Sequence, residues 1–338
     1  MDLIAPSQPA ISVAMSVYNS ARFLAPAVES ILAQSFGDFE FLILDDGSTD
    51  ASLGILRHYA AQDPRIRIIS RENRGLVASL NQLLAEARAP LIARMDADDI
   101  SHPERFARQY AFLKAHPDYG VVGCRTDDID DNDAPWPCYG VPHALDHEGI
   151  LGAIERDEPL LCHPAVLFRR EIVLSVGGYH GAFRHCEDYD LWLRLASVTR
   201  LGNLPEKLIR YRHYAGQVSS RHATEQQIGA AVAKLAWYAR RAGRPDPTAT
   251  LEALPPIDGL DALFGEAGTA RKVRARVAPG LLYSRSSLAG PGFDLVLRYL
   301  REGGSHQGMW RTVARLMRFG APLRALRLAA TLASAPAG

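Results

Sequence analysis

The feature that most constrains the fold is an alternation of short apolar segments and amphipathic segments in the first hundred residues. Four apolar runs have the length and composition of buried strands, and each is followed by polar residues: 11–17, 39–44, 66–69 and 91–95. Helical patterns lie between them, so each helix returns the chain to the same edge of the sheet. The sequence therefore predicts an α/β fold whose Rossmann-like, mainly parallel sheet is flanked by helices.

Composition excludes several classes of protein. A hydrophobic fraction of 47% is enough for a packed core, and the formal net charge of +0 argues against general binding of nucleic acid. Apolar runs stay below the roughly 18 residues that span a bilayer. The N-terminal residues lack the basic flank of a signal peptide, and the four cysteines show no CxxC spacing. A reduced, cytoplasmic chain is the simplest interpretation.

The polar residues that follow the predicted strands are expected to converge, because the carboxyl ends of parallel strands meet at one edge of a sheet, where ligands bind. The fourth strand ends in three carboxylates within four positions: Asp96, Asp98 and Asp99. Carboxylates this close suit Mg²⁺ or Mn²⁺ shared with a phosphate. The alternative is a solvated acidic turn that caps the next helix.

A carboxylate after the second strand, Asp45 or Asp46, can accept hydrogen bonds from a base or a ribose hydroxyl. The sequence contains no G-x-G-x-x-G after the first strand and no G-K-[ST] loop, so dinucleotide dehydrogenases and P-loop proteins lose their main support. Together with the acidic turn, these residues describe a nucleoside-diphosphate site.

A second acidic cluster, Glu187 and Asp188, opens a predicted helix whose apolar residues recur at helical spacing. Acidic residues favour helix N-termini through the macrodipole and need no further role there. A carboxylate in this position can also act as a general base beside a cleft. Spacing alone leaves both interpretations open.

Five motifs in order resemble those of inverting family-2 glycosyltransferases of the bacterial polysaccharide type, which have the GT-A fold. The resemblance covers roughly residues 10 to 220 and rests on these segments: VAMSVYNSARF with FLILDDGSTD, ENRGLVASLN, ARMDADD, HPAVLFRR and CEDYDLWLRL.

The resemblance implies roles for particular residues. The base and ribose of a nucleotide-sugar donor would lie against Val17, Tyr18, Asn19, Asp45 and Asp46. Asn73 and Arg74 would lie at the nucleotide, and Asp96 and Asp98 would bind Mg²⁺ or Mn²⁺ at the diphosphate. His163 and Arg169 would lie near the diphosphate or acceptor. Asp188, beside Glu187, would be the general base.

One departure from the family pattern concerns the histidine that commonly approaches the metal or diphosphate near the end of this domain. The corresponding segment is Tyr211–Ser219, where Tyr214 occupies the usual histidine position and His213 comes one residue early. In an extended segment a shift of one residue turns a side chain the opposite way. His213 is therefore either a metal ligand on an irregular backbone, or its role is filled differently.

The predicted activity is metal-dependent, inverting transfer of a sugar, with UDP as the default nucleotide, to a hydroxyl of a glycan or lipid-linked saccharide. A nucleotidyltransferase is a second reading, although YNSARF is a poor triphosphate loop. A non-catalytic nucleotide-sugar-binding protein is a third. Retained donor binding without turnover would distinguish it.

The predicted domains are a catalytic GT-A domain over 1–220, with a nucleotide-sugar half (10–100) and an acceptor half (101–220), and an appended helical region over 221–338. Residues 127–142 are predicted to form a loop over the site. After Glu302 the chain contains no acidic residue but five arginines. This basic amphipathic segment fits peripheral membrane contact. The alternative is a helix packed on the catalytic domain or on a second subunit of a homo-oligomer.

Overall fold

The structure is a computed structural model that describes residues 8–137, 141–214, 216–217 and 222–335. The chain divides into two compact units. The first, here called the catalytic unit, contains the described residues up to His180 together with Glu187–Tyr214. The second, the helical unit, contains Gly181–Cys186 and the described residues after Tyr214.

Four parallel strands form one half of the sheet in the catalytic unit, in the order β3-β2-β1-β4. Their bounds are β1 Ile11–Val17, β2 Phe39–Asp45, β3 Ile66–Ser70 and β4 Leu91–Met95. The helices that join them are α1 Ala21–Leu32, α2 Ser52–Ala60 and α3 Leu76–Glu86. All seven residues of β2 are buried, as expected for a strand covered on both faces. This half confirms the predicted alternation.

The other half of the sheet is mixed, in the order β4-β7-β6-β8-β5, with β7 antiparallel to both β4 and β6. Its elements are β5 Ile100–Ser101, α4 Arg105–Ala115, β6 Tyr119–Ile129, α5 His147–Arg156, β7 Leu167–Arg169, α6 Arg170–Ser175, α7 Glu187–Leu195 and β8 Arg200–Arg212. Residues His163–Ala165 form a 3₁₀ turn before β7. The strand begins only at Leu167, and Pro164, which lies in this turn, has no N–H to donate to a ladder.

The predicted loop over residues 127–142 is partly strand. Strand β6 continues to Ile129 because Asp127, Asp128 and Ile129 pair with the end of β8. A turn follows, in which Asp130 N–H donates to the carbonyl of Ala134 at 2.8 Å. Cys138 to Gly140, in the middle of the predicted loop, lie outside the described residues.

The helical unit matches the appended helical region expected from the sequence. Its helices are α8 Ala223–Arg241, α9 Leu260–Phe264, α10 Thr269–Leu281, α11 Arg285–Ala289, α12 Gly292–Arg301, α13 Met309–Arg318 and α14 Pro322–Ser334. Between α9 and α10 the chain passes through Gly265 and Gly268, which both have positive φ. No helix among the described residues has the length and apolar character needed to cross a membrane.

Candidate active site

The loops after β1 and β2 are bound to each other. Asn19, with a φ of 49°, accepts a hydrogen bond from Thr49 N–H at 2.8 Å, and its own N–H donates to Ser48 Oγ at 3.0 Å. The carbonyl of Val17 accepts from Asp46 N–H at 2.8 Å. Tyr18 stands beside this wall with 52% of its surface exposed. Three of the predicted nucleotide residues, Val17, Tyr18 and Asn19, are therefore together at one edge.

Asp45 and Asp46 are buried at the end of β2, and their carboxylates have different partners. Asp45 accepts from Ser48 N–H at 3.3 Å and from Ser70 Oγ at 3.0 Å. Asp46 forms an ion pair with Arg71 and accepts from the N–H groups of Arg74 at 3.0 Å and Gly75 at 2.9 Å. Asp46 therefore fixes the segment after β3.

The segment after β3 approaches the β2 loop closely. Gly47 has a φ of +77°, and a Cβ atom on it would lie 2.8 Å from Asn73 N, so only glycine fits there. The side chains of Asn73 and Arg74 are exposed. The structure thus brings both predicted residues to the same edge as the β1 and β2 loops, with their side chains available to a ligand.

The acidic turn after β4 gathers three carboxylates. Asp96, Asp98 and Asp99 each offer an oxygen, and these oxygens lie within 4.8 Å of one another. Burial and the charge of Asp96 raise the pKa of Asp98 to about 6, and burial with the charge of Asp98 raises the pKa of Asp99. Asp99 Oδ1 accepts from Arg212 N–H at 2.8 Å, whereas its Oδ2 is buried without a hydrogen-bond partner.

The unpartnered oxygen of Asp99 and the repulsion among the three carboxylates show whether these residues fit a metal ion. A buried carboxylate oxygen without a partner is costly unless a cation or donor reaches it. The donor set consists of hard oxygens only, which Mg²⁺ and Mn²⁺ prefer. The residues present therefore fit the predicted divalent cation.

Arg94 is a site residue that the sequence analysis missed. It lies on β4 with 3% of its surface exposed and forms an ion pair with Asp96. Its positive charge offsets part of the rise that burial causes in the pKa values of Asp98 and Glu187, so it acts on both acidic clusters. The available signal was an arginine inside an apolar strand, because a buried charge needs a partner.

The second acidic cluster begins α7. Burial and the charge of Asp188 raise the pKa of Glu187 to about 7, and burial raises the pKa of Asp188. Within the described residues neither carboxylate forms an ion pair. Asp190, in contrast, is buried against Arg194, with its Oδ2 at 2.7 Å from Nη2. Glu187 and Asp188 therefore have the electrostatics of a reactive pair, and Asp190 that of a structural ion pair.

His163 is in the wall of the site, with its ring engaged. Its Nε2 lies 2.8 Å from the hydroxyl of Tyr179, and burial with the nearby Arg94 charge lowers its pKa, so the ring is neutral. The charges of Asp188 and Glu187 help to raise the pKa of Tyr179. Tyr179, also missed from the sequence, therefore lies between His163 and the acidic pair.

Two predicted residues are not brought to the carboxylates. Arg169 pairs with Leu91 at the start of β4, the opposite end from Asp96, and donates to the carbonyls of Leu113 at 2.8 Å and Tyr119 at 3.0 Å. The structure therefore places Arg169 away from the acidic turn, and its expected position near the diphosphate or acceptor stays a prediction. Its strand position sets its direction, and the carbonyls at the end of α4 hold it.

His213 is also turned away from the acidic turn. Its Nε2 lies 2.6 Å from Asp128 Oδ1, and its ring stacks on Trp136. The hydroxyl of Tyr214 donates to Asp98 Oδ2 at 3.1 Å. A shift of one residue thus exchanges the two side chains, and Tyr214 rather than His213 reaches the carboxylates.

Comparison with known proteins agrees with this geometry. The model of "Glycosyl transferase family 2" matches residues 12–177. The chain is 38% identical over 213 residues to the "Putative glycosyltransferase EpsE" of Bacillus subtilis, covering 61% of this chain and 74% of that protein. It is 33% identical over 206 residues to the "O-antigen biosynthesis glycosyltransferase WbnJ" of Escherichia coli, covering 60% of this chain and 79% of that protein.

Solved structures support the fold. S. aureus TarS 1–349 in complex with UDP aligns with a TM-score of 0.55 at 17% identity, covering 95% of this chain and 87% of that chain. The mannosyltransferase PcManGT of Pyrobaculum calidifontis, in complex with GDP-Man and Mn²⁺, aligns with a TM-score of 0.52 at 17% identity, covering 97% and 88%. At this identity the likeness shows the GT-A fold alone.

Proposed function

The chain belongs to glycosyl transferase family 2, and on that basis we propose that it transfers a sugar from a nucleotide-diphosphate donor to an acceptor hydroxyl with inversion. The observation that carries the proposal is the pair of acidic clusters at one sheet edge, Asp96 to Asp99 and Glu187 with Asp188, both within the influence of the buried Arg94. One cluster suits a cation on a diphosphate, and the other suits a base.

The donor pocket in this proposal is the edge formed by the loops after β1, β2 and β3. Tyr18 offers an exposed ring for a base, and Asn73 and Arg74 offer polar side chains beside it. Asp46 organises the segment rather than meeting the ligand first, because three donors already occupy its carboxylate. Asp45 has two such donors and retains acceptor capacity for a base or a ribose hydroxyl.

Asp96 and Asp98 would hold the divalent cation, Mg²⁺ or Mn²⁺, with the orphaned oxygen of Asp99 beside them. When bound, such an ion offsets the negative charge that develops on the diphosphate leaving group. Tyr214 donates to Asp98 and so holds that carboxylate in position. Arg94 forms an ion pair with Asp96 and so offsets part of the negative charge of the cluster.

Asp188 is the proposed general base, with Glu187 beside it. A hydroxyl is a poor nucleophile until a carboxylate within hydrogen-bond reach accepts its proton during attack. Asp188 is only partly buried, whereas Glu187 is 5% exposed, so Asp188 is the more accessible of the pair. A single displacement would invert the anomeric centre.

The proposed setting is the assembly of a bacterial surface polysaccharide in the cytoplasm, with a glycan or a lipid-linked saccharide as acceptor. The printed names of the similar proteins EpsE and WbnJ support glycosyl transfer, and that of WbnJ supports O-antigen synthesis. Among the described residues, Cys124 and Cys162 are free cysteines, which agrees with a reducing compartment. UDP is the proposed nucleotide, and GDP is the first competitor to test.

The test is a thermal-shift panel of UDP, GDP, CDP and dTDP, each with Mn²⁺ or with EDTA. The variants are Asp98→Asn and the matched surface control Asp118→Asn. We expect one nucleotide to raise the melting temperature only with metal, and Asp98→Asn but not Asp118→Asn to remove the shift. A shift in melting temperature that is the same with Mn²⁺ and with EDTA would refute the cation site. Donor binding without turnover on any acceptor would favour a non-catalytic binder. A second panel with the corresponding nucleoside triphosphates tests the other alternative, because a shift with triphosphates alone would favour a nucleotidyltransferase.

A further inference from the structure

The hairpin formed by α13 and α14 has two apolar faces, only one of which is buried. The buried face contains Met309 and Leu316 on α13 and Leu328 on α14. Side chains with large exposed fractions lie elsewhere on the same hairpin: Trp310 60%, Met317 56%, Leu323 76% and Leu326 65%. Packing of one apolar face therefore leaves a second one in solvent.

Helical spacing shows that the exposed residues form stripes. On α13, Trp310 and Met317 lie seven residues apart, two helical turns along one face, with Ala314 between them. On α14, Leu323 and Leu326 lie three residues apart on one face. Large clustered apolar side chains on a surface mark an interaction site more often than scattered ones do.

The charge of this segment is strongly biased. Residues 303–335 contain no aspartate or glutamate and five arginines, in a chain of net charge +0. Arg311 and Arg318 adjoin Trp310 and Met317 in the sequence and are exposed. In the part of the chain that the structure describes, the guanidinium groups of Arg311 and Arg318 form neither an ion pair nor a hydrogen bond. Their charges are therefore available to an anionic partner.

We propose that this hairpin, residues 309–334, docks on an anionic phospholipid bilayer. Apolar stripes flanked by arginines are suited to lie at the boundary between headgroups and acyl chains, where basic side chains meet anionic lipid. A second copy of the chain fits less well, because it would bring one arginine-rich face against another. The proposal rests on this surface alone and is independent of the nucleotide site, although it would bring the enzyme to a lipid-linked acceptor.

The experiment measures co-sedimentation of the full chain with vesicles of phosphatidylcholine, with and without 30% phosphatidylglycerol. We expect binding that requires phosphatidylglycerol and weakens with salt. The variant Arg311→Gln/Arg318→Gln should lower the partition coefficient about 25-fold, at roughly five-fold for each arginine near the surface. The control Arg301→Gln removes an exposed arginine of the helical unit that lies outside the hairpin.

Insertion of the apolar stripes has its own readout. Brominated lipid should quench tryptophan fluorescence in the wild type, and Trp310→Phe should lose most of the quenching, because Trp192 and Trp237 are buried and the exposed Trp136 lies outside the hairpin. Trp136→Phe, which removes the other exposed indole, should retain the quenching. Leu323→Asn/Leu326→Asn should abolish binding, whereas Val198→Asn, an exposed apolar site of the catalytic unit, should not. Equal binding to both vesicle types would overturn the proposal, as would absence of binding.

A second copy as the occupant would give a different result. Light scattering would then show a dimer that Leu323→Asn/Leu326→Asn converts to a monomer, and that outcome would overturn membrane docking. The nucleotide-dependent thermal shift is measured on the same variants. Its retention alongside lost vesicle binding keeps a failure of this proposal separate from a failure of the proposed activity.

Discussion

The two units of the chain treat buried charge in opposite ways. In the helical unit, Arg274 is 6% exposed and lies 2.7 Å from carboxylates of both Asp258 and Glu302. In the catalytic unit, carboxylates gather at one sheet edge, where burial and mutual repulsion raise the pKa values of Asp98 and Glu187. The difference indicates that the charges around Arg274 serve stability, whereas the acidic clusters of the catalytic unit hold charge for ligands.

The largest expected effect separates two carboxylates of one helix. Asp188→Asn should lower kcat about 10³-fold, in the range that loss of a general base produces, with donor affinity retained. Asp190→Asn is the matched control, because Asp190 is buried in an ion pair with Arg194. It should lower the melting temperature and leave kcat of the folded enzyme nearly unchanged. Rate assays with donor titrations measure both, and wild-type turnover by Asp188→Asn would contradict the assignment.

The raised pKa of Glu187 should make the stability of the folded chain depend on pH. Its pKa is about 7 in the folded chain, against an ordinary value of 4.5 in the unfolded chain. The folded state therefore binds more protons, and the free energy of unfolding falls as pH rises from about 4.5 to 7. This cost amounts to about 3 kcal/mol at pH 8. Glu187→Gln should therefore raise the melting temperature at pH 8 by about 5 °C and hardly change it at pH 5.

Thermal unfolding across pH 5 to 8 checks that sign. A Gln variant that is destabilised equally at every pH would show that Glu187 is held by partners rather than strained. Glu171→Gln is a suitable control, since Glu171 lies in α6, is exposed and has no part in the acidic clusters.

Local sequence patterns predicted half of the sheet and the positions of the acidic residues. The parallel half of the sheet follows from apolar runs with polar ends, and Asp45, Asp96 and Asp188 were found as residues that terminate strands or begin a helix. Arg94 was not found, because its influence on Glu187 depends on the tertiary fold, although its ion-pair partner Asp96 is close in the sequence. Tyr179 was not found, because its partner His163 lies 16 residues away. The positions of Arg169 and His213, away from the acidic turn, could not be read from the sequence because the register of β7 and the end of β8 depend on non-local pairing.

Removal of the Arg274 charge in the helical unit and of the Asp98 charge in the acidic turn should change stability in opposite directions. Arg274→Met removes a buried cation from two carboxylates and should destabilise the chain by about 2 kcal/mol. Asp98→Asn, measured in EDTA at pH 8, removes one of three crowded carboxylates and should stabilise it by about 1 kcal/mol. Denaturant unfolding measures both changes. Loss of stability in both variants would remove the proposed distinction between the units.

The smallest effect tests whether the units are independent in function. Within the helical unit, a Cβ atom on Gly229 would lie 2.2 Å from Cys186 Sγ, so Gly229→Ala must displace one of the two residues at a cost of about 1 kcal/mol. Cys186 directly precedes Glu187, so the displacement passes through the chain to the start of α7. We expect kcat to fall about threefold, with donor affinity unchanged, because a displaced acidic pair that raises the activation free energy by about 0.7 kcal/mol has this effect. Gly243→Ala, where a Cβ meets open space but φ is +68°, controls for stability loss alone. Equal kcat in both variants would show that the helical unit does not position the acidic pair.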